Sequence, residues 1–346
     1  MGLLVSDDIG LIKTLNSDMS NEEIISNESG VGLAVSRMCW LDSNFSRVAV
    51  SRTSGVIDIF ELNEGEWRKT QSVDTDSVIT SMSCFDNSLV VLSESSVLVL
   101  SSENYERISG DLLPDGPYTT SLALGKTKAI FSKGGLPPVI IDLNNRTILW
   151  KGKNAGDTPL GLTSKFTTES FVALSPTVFI SGSAEGKLRF FDIDRQRKPI
   201  IELAVQEAYR LSGNYTGSTG QARPIRVLTL AEDRKTLFIG DTFGSVIGLN
   251  IEKLLDSSLK SEVKLGTRSH AEWARKILPL RFSVSGIMGS VRCIQVTLNS
   301  LFIATAGRHL YSYDLKTKRV SKQSFNQKLT YCLVSNDENH KRLRLS

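Results

Sequence analysis

Apolar and polar positions along this chain follow one short outline that keeps returning: an apolar run, a polar turn, a second apolar run. Leu3–Asn16 reads LLVSDDIGLIKTLN and Leu237–Asn250 reads LFIGDTFGSVIGLN; they align without a gap and share five of fourteen residues. The outline recurs at Val48–Phe60 (VAVSRTSGVIDIF), Leu89–Leu100 (LVVLSESSVLVL), Phe179–Ile193 (FISGSAEGKLRFFDI) and Ile303–Leu315 (IATAGRHLYSYDL). A looser copy is Ala129–Leu143, AIFSKGGLPPVIIDL. That makes seven copies, mostly 40 to 60 residues apart. A period in that range means one repeated supersecondary unit, and repeated hairpins predict an all-β fold, a seven-bladed WD40-like β-propeller.

Each copy is read as the two middle strands, b and c, of a four-stranded blade. Gly10, Gly55, Gly186 and Gly244 fall where the hairpin turn needs positive φ, which glycine supplies without steric cost. Ser96 stands there in the third copy and predicts another turn type. First strands (a) are expected at Arg37–Leu41, Val78–Phe85, Thr119–Leu124, Leu160–Phe166, Ile225–Leu230 and Ser290–Val296. Outer strands (d) are expected at Trp67–Val73 and Arg319–Phe325. The first copy starts at Leu3, too early for a first strand of its own, while Lys328–Ser335 (KLTYCLVS) is left over at the other end. The C-terminal strand is therefore expected to join the N-terminal blade and close the ring, removing open edges. The expected domains are residues 1–335, the propeller, and residues 336–346, a short polar and basic tail.

Two connections are long. Glu207–Gln221 is rich in Gly, Ser, Thr and Asn and reads as a flexible loop. Leu254–Gly289 contains HAEWARKILPLRF and reads as a functional loop.

The 346 residues suffice for such a ring, since seven blades of roughly 40–45 residues need about 300. Hydrophobic content of 40% and charged content of 23% fit a soluble globular protein. No apolar run approaches the ~20 residues of a spanning helix. Cys39, Cys84, Cys293 and Cys332 all fall in expected first strands and read as buried, reduced thiols, which points to the cytosol or nucleus. Charge is uneven. Residues 1–116 carry 7 basic and 19 acidic side chains, net −12, and residues 260–346 carry 16 and 5, net +11. In a ring, sequence order becomes angular order, so an acidic sector and a basic sector are expected to take different partners.

Enzymatic constellations are sparse. Of three histidines, His270, His309 and His340, none belongs to a metal-ligand or triad pattern, and no phosphate-loop motif occurs. The acids Asp7, Asp8, Asp192 and Asp194 read as turn residues bonding backbone N–H groups. No catalytic residue, cofactor or metal is expected, nor a small-molecule substrate or a membrane. The positive signals are for interaction. Arg195, Arg197 and Lys198 (DRQRKPI) cluster on the loop after strand c of the fifth blade, where cations neutralise phosphates and stack on bases. Trp273 stands among Arg275, Lys276 and Arg281, an aromatic among bases that suits single-stranded RNA or a partner groove, or else tucks its loop onto the blade. Lys316, Lys318 and Arg319 form a third, weaker cluster.

The same residues carry a family resemblance. LLVSDDIGLIKTL, GKLRFFDIDRQRKPI (Gly186–Ile200), GSVRCIQV with IATAGRHLYSYDL (Gly289–Leu315) and the closing KLTYCLVSND resemble segments of nucleolar WD-repeat assembly factors of the large (60S) ribosomal subunit, the yeast Nsa-type and animal WD repeat-containing homologues. The usual Trp-Asp dipeptide is replaced by Phe191-Asp192, Tyr313-Asp314 and Ile141-Asp142. The resemblance implies a non-catalytic seven-bladed propeller in the nucleus and nucleolus. It implies binding to other pre-60S assembly factors and pre-rRNA, and release by an AAA-type ATPase. The family's Lys-rich tail corresponds here to KRLRLS, Lys341–Ser346. The alternative is a cytosolic or nuclear WD40 adaptor of another complex, in ubiquitin transfer or trafficking.

Overall fold

The computed structural model describes residues 2–20, 23–85, 88–93, 97–101, 107–109, 118–124, 127–145, 147–153, 167–206, 223–254, 272–273, 276, 278, 280–284 and 286–335. They form seven four-stranded antiparallel sheets in succession, the blades of a seven-bladed β-propeller. The first combines β1 (Gly2–Asp7), β2 (Ile12–Asn16) and β3 (Glu23–Ser26) with the last strand of the chain, β28 (Leu329–Ser335), in the order β28-β1-β2-β3. The next two are β4 (Val35–Trp40) to β7 (Glu66–Asp74) and β8 (Ile79–Phe85) to β11 (Arg107–Ser109). There follow β12 (Tyr118–Leu124) to β15 (Thr147–Lys151), β16 (Thr168–Ala173) to β19 (Ile201–Ala204), β20 (Ile225–Leu230) to β23 (Leu280–Val284), and β24 (Val291–Val296) to β27 (Val320–Ser324).

The chain groups into two compact units, Met1–Tyr118 with Asn299–Ser346, and Thr119–Leu298. In the first unit the expected closure is observed. Strand β28 pairs antiparallel with β1, Leu3 opposite Val334 and Val5 opposite Cys332, and the Gly2 N–H donates to Ser335 Oγ at 3.1 Å. The first strands are tied sideways too, the Trp40 indole N–H donating to the Val334 carbonyl at 3.0 Å.

The burial pattern explains why the copies read as they do. Second strands β1, β5 (Arg47–Arg52) and β9 (Ser88–Ser93) are buried at every position after the first, and β21 (Thr236–Asp241) throughout. A strand covered on both faces reads as a continuous apolar run rather than an alternation. Outer strands β7 and β27 are almost wholly exposed and are polar. In the second unit one cluster spans two sheets, with Ile180, Leu188, Phe190, Ile225, Ile239, Ile247 and Leu278 among its members. A second is aromatic. Phe179 stacks on Phe191 at 4.9 Å, and Trp150 stands edge-on to both at 5.8 and 5.9 Å.

Two expectations change. The first strand of the fifth blade is Thr168–Ala173, because the Phe171 ring belongs to the Phe179 cluster; Leu160–Phe166 lies outside the described residues. The long connection Leu254–Gly289 holds the fourth strand of its blade, β23 (Leu280–Val284), so Arg281 is on a strand and not in a loop. Leu280 pairs with Leu249 and Phe282 with Gly248, whose missing side chain leaves room for the Phe282 ring. Glu207–Gln221, Ser96, His270, His340 and the tail from residue 336 lie outside the described residues.

Candidate functional site

The hairpin glycines set one end of each sheet. Gly10, Gly55, Gly186 and Gly244 have φ of 110°, 94°, 74° and 85°. Each also lies hard against the connection entering the next blade: a Cβ on Gly186 would stand 2.7 Å from the Arg223 carbonyl oxygen, and one on Gly244 2.6 Å from that of Ile287. Acidic caps shape these turns. One carboxylate oxygen of Asp7 accepts the N–H groups of Ile9, Gly10 and Leu11 at 2.9 to 3.1 Å. Burial raises the Asp7 carboxyl above its ordinary value, with those three N–H groups pulling the other way.

The basic clusters occupy the other end, where the third strand of a blade turns into the fourth. In unit 2, β18 (Lys187–Asp192) ends at Asp192, opposite Val178. Its main-chain carbonyl accepts from the Arg195 and Gln196 N–H groups at 3.3 and 3.2 Å, and its side chain accepts from Asp194 N–H at 3.2 Å. Arg195 Nε then folds back onto Asp192 Oδ2 at 3.0 Å. The Arg197 carbonyl accepts from Lys153 N–H at 2.7 Å, which pins the loop and leaves the Arg197 and Lys198 side chains exposed. Neither is ion-paired among the described residues. Of the three sequence candidates, one is tied up in its own turn and two face solvent.

The second cluster is less unified. Trp273 is half-buried and packs against the large apolar cluster, the arrangement in which it holds its segment onto the blade. Lys276 is exposed, and Arg275 lies outside the described residues. Arg281 donates from Nη1 to Thr236 Oγ1 at 2.7 Å. Nearby, Lys235 pairs with Glu252 at 2.7 Å; that hydrogen bond and charge raise the lysine and lower the carboxyl, to which Arg281 also contributes. In unit 1, the Lys316–Arg319 turn repeats the scheme: Asp314 Oδ1 accepts the N–H groups of Thr317 and Lys316 at 2.6 and 2.8 Å, which lowers its carboxyl, and the lysines are exposed.

Among the described residues, no group of three His, Cys, Asp or Glu is placed to hold a metal ion. Burial raises the Cys39 and Cys84 thiols, which favours their protonated form, and both are partly exposed.

Sequence reasoning passed over one position, the second residue of the first strands. Aligning ITSM (79–82), IRVL (225–228) and VRCI (291–294) exposes it: a hydroxyl in one case, arginine in two.

No protein-family model matches the sequence, and no curated protein does. Solved structures do match in fold. The β-propeller domain of Cps50 (Swd1) from Myceliophteria thermophila superposes with a TM-score of 0.64 at 14% identity, over 85% of this chain and 87% of that one. The computationally designed Ika8 protein superposes with a TM-score of 0.58 at 13% identity, over 94% and 84%. At such identities the likeness establishes the fold, a seven-bladed propeller, and nothing of the chemistry.

Proposed function

We propose that the chain is a non-catalytic scaffold of large-subunit ribosome assembly, holding other assembly factors and pre-rRNA in nucleolar pre-60S particles from which an AAA-type ATPase releases it. Its mechanism is rigid placement. Preformed blades present their loops in fixed geometry, so partners dock without a large ordering cost on this side of the interface. The observation that carries the reading is the Asp192–Pro199 loop, within one of the segments that resemble the family: its backbone is pinned, and Arg197 and Lys198 face solvent with no ion pair among the described residues. Cations so held suit phosphate contacts, which position a polyanion and lose strength with salt.

Affinity purification from growing eukaryotic cells, reading co-purified protein and RNA together, tests this. The reading expects pre-60S factors and large-subunit pre-rRNA. Ubiquitin-ligase or vesicle-coat subunits without pre-rRNA would replace it with the adaptor alternative.

A further inference from the structure

We propose that unit 2 carries a docking site for an acidic polypeptide segment with one apolar anchor, at the sheet ends opposite the Arg195 loop. The site is independent of the proposed role in ribosome assembly.

The first observation is a recurring β-bulge. In β20, Ile225 pairs with Asp241 and Val227 with Gly240, so Arg226 has no partner across the ladder. Glu169 is skipped in the same way in β16, where Thr168 pairs with Ser183 and Ser170 with Gly182. A bulge residue is re-aimed away from the pleat. In unit 1 the skipped residues are Thr330, Ser36 and Thr80. All three hydroxyls bond within their own sheets, to Ser6 Oγ at 3.1 Å, Ser51 Oγ at 2.7 Å and the Leu92 carbonyl at 3.2 Å. A short hydroxyl therefore satisfies what the fold needs here. Unit 2 keeps a hydroxyl, Thr119, as second residue of β12, but its next three first strands place long charged side chains there: Glu169, Arg226 and, as second residue of β24, Arg292. The three strands pack side by side, Arg226 reaches Glu169 at 2.5 Å, and both arginines are exposed.

The second observation is apolar and lies on the same side. Phe243 is 51% exposed and Met288 58% exposed. They ride on turns that touch, because Gly244 approaches the carbonyls of Ile287 and Gly289. Phe243 is held upright. The Arg223 guanidinium lies 5.2 Å from its ring centroid, and Arg223 is itself fixed by Asp241 at 3.2 Å and Ser245 at 2.7 Å. An exposed aromatic with a rigid base, rimmed by arginines, has the composition of an interface anchor.

Charge decides the occupant. Arg223, Arg226 and Arg292 outnumber Glu169 and Asp241, three to two, so the rim attracts acids. Phe243 and Met288 call for an apolar side chain between those acids, which a polypeptide supplies. A nucleic acid fits less well, because it brings no apolar side chain to Met288 and because Arg223 already occupies one side of the Phe243 ring.

The test uses the full chain and short fluorescent peptides on which a central Phe or Ala is flanked by Asp and Glu or by Lys. Saturable binding is expected for the acidic Phe peptide, weakening with salt. The acidic Ala and the Lys-flanked peptides should bind roughly tenfold more weakly or worse. Phe243→Ser, or Arg226→Glu with Arg292→Glu, should cost at least roughly tenfold in affinity. Met288→Gln is a second surface variant, and Arg197→Glu with Lys198→Glu at the other sheet end should change nothing. Absence of saturable binding, equal binding of the Ala peptide, or variants that bind as the parent does would overturn the proposal. So would displacement of the peptide by a single-stranded oligonucleotide whose own binding is lost in the arginine variant, which would make the site a nucleic-acid site.

Discussion

Arg52 Nε meets Asp58 Oδ2 at 2.8 Å with both side chains out of solvent, and the same guanidinium reaches into the neighbouring blade to donate from Nη1 to the carbonyls of Gly10 at 2.7 Å and Leu33 at 3.0 Å. One side chain thus fastens the N-terminal hairpin turn to the blade beside it. Ser72 completes the acid's shell, donating to Asp58 Oδ1 at 2.7 Å. Removing one member of a buried pair strands the other, at a cost of about 3–5 kcal/mol. Arg52→Ala should lower stability by that amount in urea unfolding. Arg52→Met with Asp58→Leu should lose markedly less, since no charge is then left without a partner.

Gly186 and Gly65 separate two roles of glycine. Both have positive φ, 74° and 86°, but only Gly186 is pressed against backbone; around Gly65 there is open space. Gly65→Ala should cost about 1 kcal/mol, the strain of the left-handed conformation alone. Gly186→Ala adds the clash with the Arg223 carbonyl and should cost at least about 2 kcal/mol. Parallel denaturant titrations of the two variants check the difference.

Arg308 holds φ of 65° in the last hairpin, where four other blades use glycine, and its carbonyl accepts from Phe325 N–H at 2.9 Å. Arg308→Gly should relieve the strain and be neutral or stabilising by up to about 1 kcal/mol, read as a raised melting temperature. A fall in stability would mean the arginine side chain contributes to the fold.

Glu202 on β19 bridges Lys187 at 2.7 Å and Arg189 at 2.8 Å on β18. Burial works to raise its carboxyl, but the hydrogen bonds and charges of those two cations outweigh it and hold it below the ordinary 4.5. The unfolded chain therefore takes up this proton first. The stabilisation is complete above the ordinary value and is lost as pH falls through the lowered one. Glu202→Gln should be less stable than the parent at neutral pH, and the gap should close on acidification below about pH 4. A gap that does not change with pH would assign the loss to packing.

The fold was legible because second strands are buried on both faces and announce themselves as LLV, VAV, LVV and LFI, each followed by a turn. The closing strand was legible as the apolar run TYCLV that follows the last copy, and it pairs with β1. Thr168–Ala173 was missed because ESFVAL, between Thr168 and Ser175, and the stretch before it are both mildly apolar, and the Phe171–Phe179 contact that decides between them is tertiary. Arg281 was taken for a loop residue because its strand is outermost and half-polar, LRFSV, without an apolar run to mark it. Of the basic clusters, the sequence located Arg197 and Lys198 but not the turn that commits Arg195 to Asp192. Phe243 and Met288 drew no notice because nothing in the sequence says they remain uncovered.

The role proposed for this propeller is that of a fixed scaffold in large-subunit assembly. Gradient sedimentation of a cell extract, comparing the parent with a variant in which Arg195, Arg197 and Lys198 are changed to Ala, tests it most directly. The parent should migrate with 60S precursors, and the variant should leave those fractions at lower salt than the parent does. A parent protein that stays at the top of the gradient, or a variant that co-migrates with precursors unchanged across the salt series, would contradict the account.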